Sequence, residues 1–166
     1  ENGKIAMENP QDYNAMSELM WCGSISHNGL TGLGAVIDFA PHQLGHELSA
    51  KFDIAHGASL SVMWGSWAEY CYKTKPQRFV QYAHKVWGIK KKTYEETVLL
   101  AIDATVSYFR SLGMPVYFSD LEIGIQADTI IRDLAKRCTF YGQRKVGQFK
   151  VLDEEDLYQI YKLANH

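Results

Sequence analysis

Three of the six histidines in this 166-residue chain lie within residues 39–57, FAPHQLGHELSAKFDIAHG. His42 and His46 are four positions apart, so on a helix both imidazoles project from one face, roughly 5 to 6 Å from each other. His56 precedes Gly57, where a tight antiparallel return would bring it back over the first pair. Neutral imidazole suits zinc, iron and related divalent metals. The segment is therefore a candidate metal site.

Other interpretations of the same histidines stay open on spacing alone. Histidines at i and i+4 are commonly solvent-facing or satisfied by local hydrogen bonds, without any metal. A zinc protease needs the order H-E-x-x-H, because the glutamate after the first histidine is the general base. This chain has Gln43 at that place and Glu47 after the second histidine, which argues against protease chemistry. A metal hydrolase with two histidines is disfavoured because the usual paired carboxylates are missing.

Further candidates flank the histidines. Asp38 and Asp53 are alternative carboxylate ligands, although Asp53 is better explained as the N-cap of the following helix. On that helix Trp64, Trp67 and Tyr70 are candidates to line an apolar alcohol pocket. Their helical spacing favours the core instead.

Composition narrows the class of protein. Hydrophobic residues make up 46% of the chain and aromatic residues 13%, enough for the core of one globular domain. The net charge is −2 and the one basic block is Lys90 to Lys92, so we expect no nucleic acid and no membrane as partners. No apolar run reaches the ~18 residues of a membrane span, and no signal peptide is visible. Cys22, Cys71 and Cys138 are widely spaced, which predicts reduced, mostly buried thiols in a cytoplasmic protein.

The elements that must hold the histidines are predicted to be helical throughout. Apolar residues recur at three- and four-residue spacing, and no stretch alternates long enough to require a sheet. We therefore predict an all-α helical bundle that forms a single domain over residues 1–166, with the helix after His56 at its centre. The first helix is predicted to start at Asn9 as N-cap. The later helices are predicted over residues 41–52, 56–73, 76–89, 93–115, 127–138 and 153–164.

Four segments carry a family resemblance: MWCGSISHNGL, HQLGHELSAKFDIAHGASLSV, FVQYAHKVWGI and YFRSLGMPVYFSD. Together they resemble the C-terminal helical domain of the iron-containing (group III) alcohol dehydrogenases. The likeness is strongest to the branch of NAD(P)H-dependent butanol dehydrogenases and aldehyde reductases. It runs in order from about Asn9 to the C-terminus. Its most specific part is H-x-x-x-H followed by nine residues and then H-G.

The resemblance implies roles for the histidines. In that family a Rossmann-like nucleotide-binding domain and a helical domain enclose a metal in the cleft between them. His42 and His56 correspond to two of its four protein ligands, and His46 to a non-ligating histidine suited to relaying a proton. The other two ligands, an aspartate and a histidine four residues apart, belong to a helix upstream of this chain. His27 stands where relatives usually carry an apolar residue, so we interpret it as a surface or helix-end residue.

The resemblance also implies a function. It predicts the C-terminal part of an alcohol dehydrogenase that interconverts aldehydes and primary alcohols by hydride transfer. The cofactors would be a divalent metal, iron or zinc, and NADH or NADPH bound mainly by the N-terminal domain absent from this chain. The fragment alone would be inactive. The resemblance leaves open whether two copies of the protein form a homodimer. The alternative is a non-catalytic helical interaction module derived from that enzyme, with its histidines as relics.

Overall fold

The computed structural model describes all residues from Glu1 to His166 and confirms the all-α prediction. The only pairing of β type is an isolated antiparallel bridge between Val146 and Leu152. None of the helices is both long enough and apolar enough to cross a membrane. The helices are α1 Asn2–Glu8, α2 Tyr13–His27, α3 Ala40–Phe52, α4 His56–Cys71, α5 Pro76–Tyr82 with a π-helical turn Ala83–Trp87, α6 Tyr94–Ser111, α7 Asp128–Cys138 and α8 Glu154–Ala164.

Residues Glu1–Ile37 form one compact unit, which holds α1 and α2. The prediction that the first helix starts at Asn9 is wrong. Asn9 ends α1 instead, and its side chain accepts a hydrogen bond from the backbone N–H of Gln11. The N-cap of α2 is Asp12, whose carboxylate accepts from the Ala15 N–H at 2.9 Å. A carboxylate that reaches the third N–H of a helix is a strong start signal, which explains the later beginning.

The second compact unit is Asp38–His166, and it holds α3 to α8. Helix α4 packs against α3, α6 and α8, while α7 packs against α3 and α8. The prediction that this helix is central is therefore confirmed. The core of this second unit is built from fully buried apolar side chains on four helices. Among them are Leu44, Leu48, Val62, Met63, Ile131, Leu134, Leu157 and Ile160. The assignment of the whole chain to a single domain stays a prediction.

Several helix ends lie where the sequence predicts them. Pro76 is the first residue of α5, and Gly88 ends the following π-helical turn with a left-handed φ of 67°. The Thr93 side chain accepts from the Glu96 N–H at 3.1 Å and caps α6. Asp153 caps α8 in the same way. These local signals fix the lengths of the helices that surround the core.

The predicted role of Asp53 is wrong. Asp53 is the C-cap of α3, with a left-handed φ of 55°, and Ala55 rather than Asp53 precedes α4. Only residues 53–55 separate the two helices, so the chain must reverse within one turn. Aspartate tolerates the left-handed conformation better than most residues, which suits it to this position. The short reversal places the start of α4 beside α3.

Candidate functional site

The three histidines of the sequence motif meet where the first half of α3 lies beside the start of α4. His42 and His46 lie one turn apart on α3, and His56 is the first residue of α4. Their ring nitrogens that could bind a metal all lie within 4.8 Å of one another. His42 is half-buried, and the other two are exposed. The predicted return of His56 over His42 and His46 is confirmed, and the cluster faces an open surface.

Within the cluster His56 contacts both of the others. Nδ1 of His42 lies 3.2 Å from Nε2 of His56, with ring centroids 5.2 Å apart. The His46 ring stacks on that of His56 at 5.0 Å and an interplanar angle of 30°. The His42 and His46 centroids are farther apart, at 6.3 Å. The closest pair of donor atoms therefore joins α3 to α4.

The spacing of this pair fits a shared divalent metal. Two nitrogens that each lie about 2.1 Å from one metal are separated by roughly 3.0 to 3.4 Å at ordinary coordination angles. The His42 to His56 distance of 3.2 Å falls inside that interval. The same distance also suits a hydrogen bond between two neutral rings in the same tautomer, in which one of these nitrogens donates and the other accepts. The imidazole donor set favours a transition metal over calcium or magnesium.

Buried contacts behind the histidines hold the two helices together. Gly45 faces α4, and a Cβ at this position would lie 2.7 Å from Oγ of Ser59. Glycine therefore permits the close approach of α3 to α4. One turn of α3 is also tied to α8, because the buried Tyr161 hydroxyl donates to the Leu44 carbonyl oxygen at 2.8 Å. The imidazoles thus project from a rigid pair of helices.

Asp38 lies outside the metal-ligand cluster and has a structural role. One carboxylate oxygen accepts from the Ala40 N–H at 2.6 Å, at the start of α3. The other accepts from the N–H groups of Gln148 and Phe149, at 2.9 and 2.5 Å. Neither Asp38 nor Asp53 joins the group that could hold a metal. Asp38 instead ties the start of α3 to the loop before α8.

The other acidic neighbour points away from the histidines. Glu47 accepts a hydrogen bond from Nε of Arg137 on α7 at 3.0 Å. This hydrogen bond to a carboxylate contributes most to raising the pKa of Arg137. A glutamate engaged with α7 is not placed as a general base beside His46. The structure agrees with the sequence argument against protease chemistry.

An apolar cavity of about 600 Å³ opens beside His42. Its wall comes from α3, α4 and the end of α6. The lining residues are Asp38, Pro41, His42, Gly57, Leu60, Ser61, Trp64, Trp67, Phe109, Leu112 and Met114.

The cavity refines the expectation for the aromatic residues of α4. Trp67 is buried in the core, as its spacing predicts, yet it also lines the cavity together with the half-buried Trp64. Tyr70 does not line it, because its hydroxyl donates to Asp156 on α8 at 2.6 Å. Sequence reasoning missed Phe109 and Met114, the opposite wall. No local signal marks them as neighbours of α4, because they lie far beyond its last residue, Cys71, in sequence.

Comparison with known proteins identifies the family. The family described as "Fe-containing alcohol dehydrogenase family, C-terminal" matches residues 1–165. The NADH-dependent butanol dehydrogenase A of Clostridium acetobutylicum is 38% identical over 162 residues, which is 96% of this chain. The NADPH-dependent aldehyde reductase YqhD of Escherichia coli is 31% identical over 164 residues, or 99% of the chain. The chain belongs to the Fe-containing alcohol dehydrogenase family.

Solved structures agree with this assignment. The NADH-dependent butanol dehydrogenase A of Thermotoga maritima superposes with a TM-score of 0.89 at 30% identity, over 98% of this chain and 42% of that one. The chain likewise spans only 41% of the Clostridium acetobutylicum relative and 42% of the Escherichia coli one. The family resemblance seen in the sequence is therefore confirmed, for a part of the relatives' length.

Proposed function

We propose that this chain is the metal- and substrate-binding part of an NAD(P)H-linked alcohol dehydrogenase that interconverts aldehydes and primary alcohols. The observation that carries the proposal is the 3.2 Å approach of His42 to His56 beside an apolar cavity that His42 itself lines. A metal-ligand pair and an apolar pocket with one polar end are what such a substrate needs. Relatives named as butanol dehydrogenases and an aldehyde reductase support the same chemistry.

His42 and His56 would hold the divalent metal, iron or zinc. When bound, the metal supplies Lewis acidity for a carbonyl oxygen, and NADH or NADPH supplies the hydride. The residues of this chain bind the hydrocarbon part of the substrate in the cavity and exclude water from it. His46, stacked against His56, gives a proton to the substrate oxygen during reduction and takes it back during oxidation. In this proposal His42 and His56 bind the metal, whereas His46 transfers a proton.

The rest of the site is proposed to lie outside these residues. Two histidines hold a divalent metal weakly compared with four protein ligands, and the chain has no glycine-rich phosphate loop. Since the chain covers about two fifths of its relatives, an N-terminal Rossmann-like domain would supply the nucleotide site and the remaining two ligands. Gene sequence upstream that encodes a βαβ pattern and a D-x-x-x-H helix would support this arrangement.

The test uses the full-length protein that carries this chain. Bound metal is measured by mass spectrometry, and oxidation of NADH and NADPH is followed with butyraldehyde as substrate. We expect His42→Ala and His56→Ala each to remove the tightly bound metal and nearly all turnover. His27→Ala, an exposed histidine at the end of α2, is the control and should change neither. A folded protein without metal and without turnover would favour the non-catalytic interaction module instead.

A further inference from the structure

A second, smaller cavity lies against a different part of α4 from the cavity beside His42. Its volume is about 210 Å³, and its wall comes from α4, α6 and the end of α8. No residue lines both cavities. Two carboxylates, those of Glu69 and Asp103, belong to its wall, and no lysine or arginine does. We call it the acidic cavity.

Helices α4 and α6 run antiparallel along this cavity. The Ser61 hydroxyl, near the start of α4, donates to the carbonyl oxygen of Pro115, just after α6. The Tyr72 hydroxyl, just after α4, donates to Glu95 in the first turn of α6. The start of one helix therefore lies beside the end of the other.

This antiparallel packing places the two carboxylates at the same level. Gly65 and Val106 are in contact, since a Cβ on the glycine would lie 2.8 Å from Cγ2 of the valine. Glu69 is one turn after Gly65 on α4, and Asp103 is one turn before Val106 on α6. One turn along each helix, in opposite directions, leads to the same height. The two charges thus face one cavity from both sides.

The protein itself does not neutralise these charges. Neither Glu69 nor Asp103 makes an ion pair or a side-chain hydrogen bond within the chain. Arg110 lies over the ring of Tyr117, a residue of the wall, at 5.6 Å from the ring centroid. Its guanidinium faces Asp120 at 3.9 Å, so its charge is directed to another carboxylate. The acidic cavity therefore attracts a cation.

A buried hydroxyl points to a ligand independently of the two charges. Ser66 of α4 lines the acidic cavity and is only 4% exposed. Ser59 and Ser61 on the same helix each donate to the carbonyl oxygen three residues back. The Ser66 hydroxyl makes no such bond and has no other partner in the chain. Since a hydroxyl buried to this degree normally has a hydrogen-bond partner, the partner is expected in the cavity.

We infer that the acidic cavity binds a primary alkylammonium ion of about four to six carbons. The ammonium group has three N–H donors, and Glu69, Asp103 and the Ser66 hydroxyl are three acceptors for them. The hydrocarbon part packs on the apolar side chains of the wall, which are Leu99, Ile102, Val106 and Leu163. This site is separate from the proposed dehydrogenase site and does not depend on it.

The size of the cavity and its ligand atoms favour this class of cation. At roughly 30 Å³ for each non-hydrogen atom, with liquid water as the measure, a volume of about 210 Å³ holds about seven such atoms. A bare metal ion fits less well. Only the three histidines of α3 and α4 bring three metal-binding side chains together, and neither Glu69 nor Asp103 belongs to such a group.

The experiment is a titration of the 166-residue chain with 1-aminobutane at pH 8, where a primary amine is protonated and histidine is neutral. Binding is followed by NMR of ¹³C-labelled leucine methyl groups. Leu99 and Leu163 line the acidic cavity, whereas Leu60 lines the cavity beside His42. The neutral ligand 1-butanol is the matched control. Neither metal nor nucleotide is needed, so the result is independent of the tests of the proposed function.

We expect the signals of Leu99 and Leu163 to shift and saturate with 1-aminobutane and to shift little with 1-butanol. Raising the salt from about 0.02 M to about 0.5 M should weaken amine binding about threefold or more, because salt screens exposed charges. Saturation of Leu60 alone, or an equal response of Leu99 and Leu163 to amine and alcohol, would overturn the inference.

Substitutions test the three proposed acceptors. Glu69→Gln and Asp103→Asn should each weaken amine binding by about fivefold or more, and Ser66→Ala by about threefold. Two carboxylate variants guard against the misfolding of one. Glu96→Gln, which removes an exposed carboxylate of α6 outside the cavity, is the matched control and should bind like the original chain. If Glu69→Gln and Asp103→Asn bind the amine as tightly as Glu96→Gln does, the inference is wrong.

Discussion

Nδ1 of His42 lies 3.2 Å from Nε2 of His56, although the two residues are fourteen positions apart and belong to different helices. The approach depends on the three-residue reversal between α3 and α4 and on Gly45, which lets the helices pack closely. Two nitrogens at this distance can coordinate the same divalent ion. The proposed dehydrogenase function starts from this pair.

His46 should affect turnover more than metal binding. In the full-length protein, His46→Ala should retain most of the metal and lower turnover by ~10² to 10⁴, the usual contribution of positioned proton transfer. Added imidazole should restore part of the lost turnover, because a free base can occupy the vacated space beside His56. Metal content and rate are measured on the same preparations. If the metal falls as far as in His42→Ala, His46 is a ligand and the proposed division of roles is wrong.

The 166-residue chain by itself should fold but not reduce aldehydes. Its second unit has a core of fully buried aliphatic residues on several helices, so far-ultraviolet circular dichroism should show high helicity and cooperative thermal unfolding. Calorimetry should find a divalent metal held weakly if at all. Oxidation of NADH or NADPH with butyraldehyde should be absent, because positioning of a hydride donor needs a nucleotide site. Turnover comparable to that of a complete dehydrogenase would mean that a cofactor site lies within this chain.

Asp38 should stabilise the fold rather than bind the metal. Asp38→Ala removes the acceptor for the backbone N–H groups of Ala40, Gln148 and Phe149. We expect a loss of about 2 to 4 kcal/mol in the free energy of unfolding, measured by urea denaturation. Asp103→Ala, an exposed carboxylate on α6, is the control and should cost under about 0.5 kcal/mol. An unchanged midpoint for Asp38→Ala, together with loss of metal, would instead make Asp38 a ligand.

Local sequence signals predicted the ends of several helices around the site. Proline at the start of α5 and glycine after the π-helical turn mark helix ends by fixed backbone preferences, and both are found at Pro76 and Gly88. The spacing of His42 and His46 likewise determines their common face. The predicted meeting with His56 needed only a short reversal, and the loop is three residues long.

Features that depend on how distant segments pack against each other could not be predicted from the sequence. Helix α1 buries no residue, so its sequence has no apolar stripe to reveal it. Asp53 has the composition of an N-cap, yet the tightness of the turn makes it a left-handed C-cap. The cavity wall of Phe109 and Met114 depends on which face of α6 meets α4. Periodicity shows that a face is apolar but not what it packs against.

The three thiols should react at very different rates. Burial raises the pKa of Cys71 and of Cys138 to about 12, and both are inaccessible, whereas Cys22 is exposed on α2. At pH 8 a thiol with such a pKa is ionised to roughly one part in ten thousand. Ellman's reagent should therefore modify one thiol rapidly and the other two only after unfolding in urea. Rapid modification of all three in the native chain would contradict the packing of α4 and α7.

The shared metal between His42 and His56 is tested most directly by zinc K-edge X-ray absorption on the full-length protein reconstituted with zinc. The account predicts nitrogen ligands at about 2.0 to 2.1 Å in the unchanged protein. When zinc is supplied at a concentration high enough to load their weakened sites, His42→Ala and His56→Ala should each show one coordinated imidazole fewer. His46→Ala should leave the spectrum unaltered. Spectra identical to that of the unchanged protein in both His42→Ala and His56→Ala would contradict the account, because the metal would then be bound elsewhere.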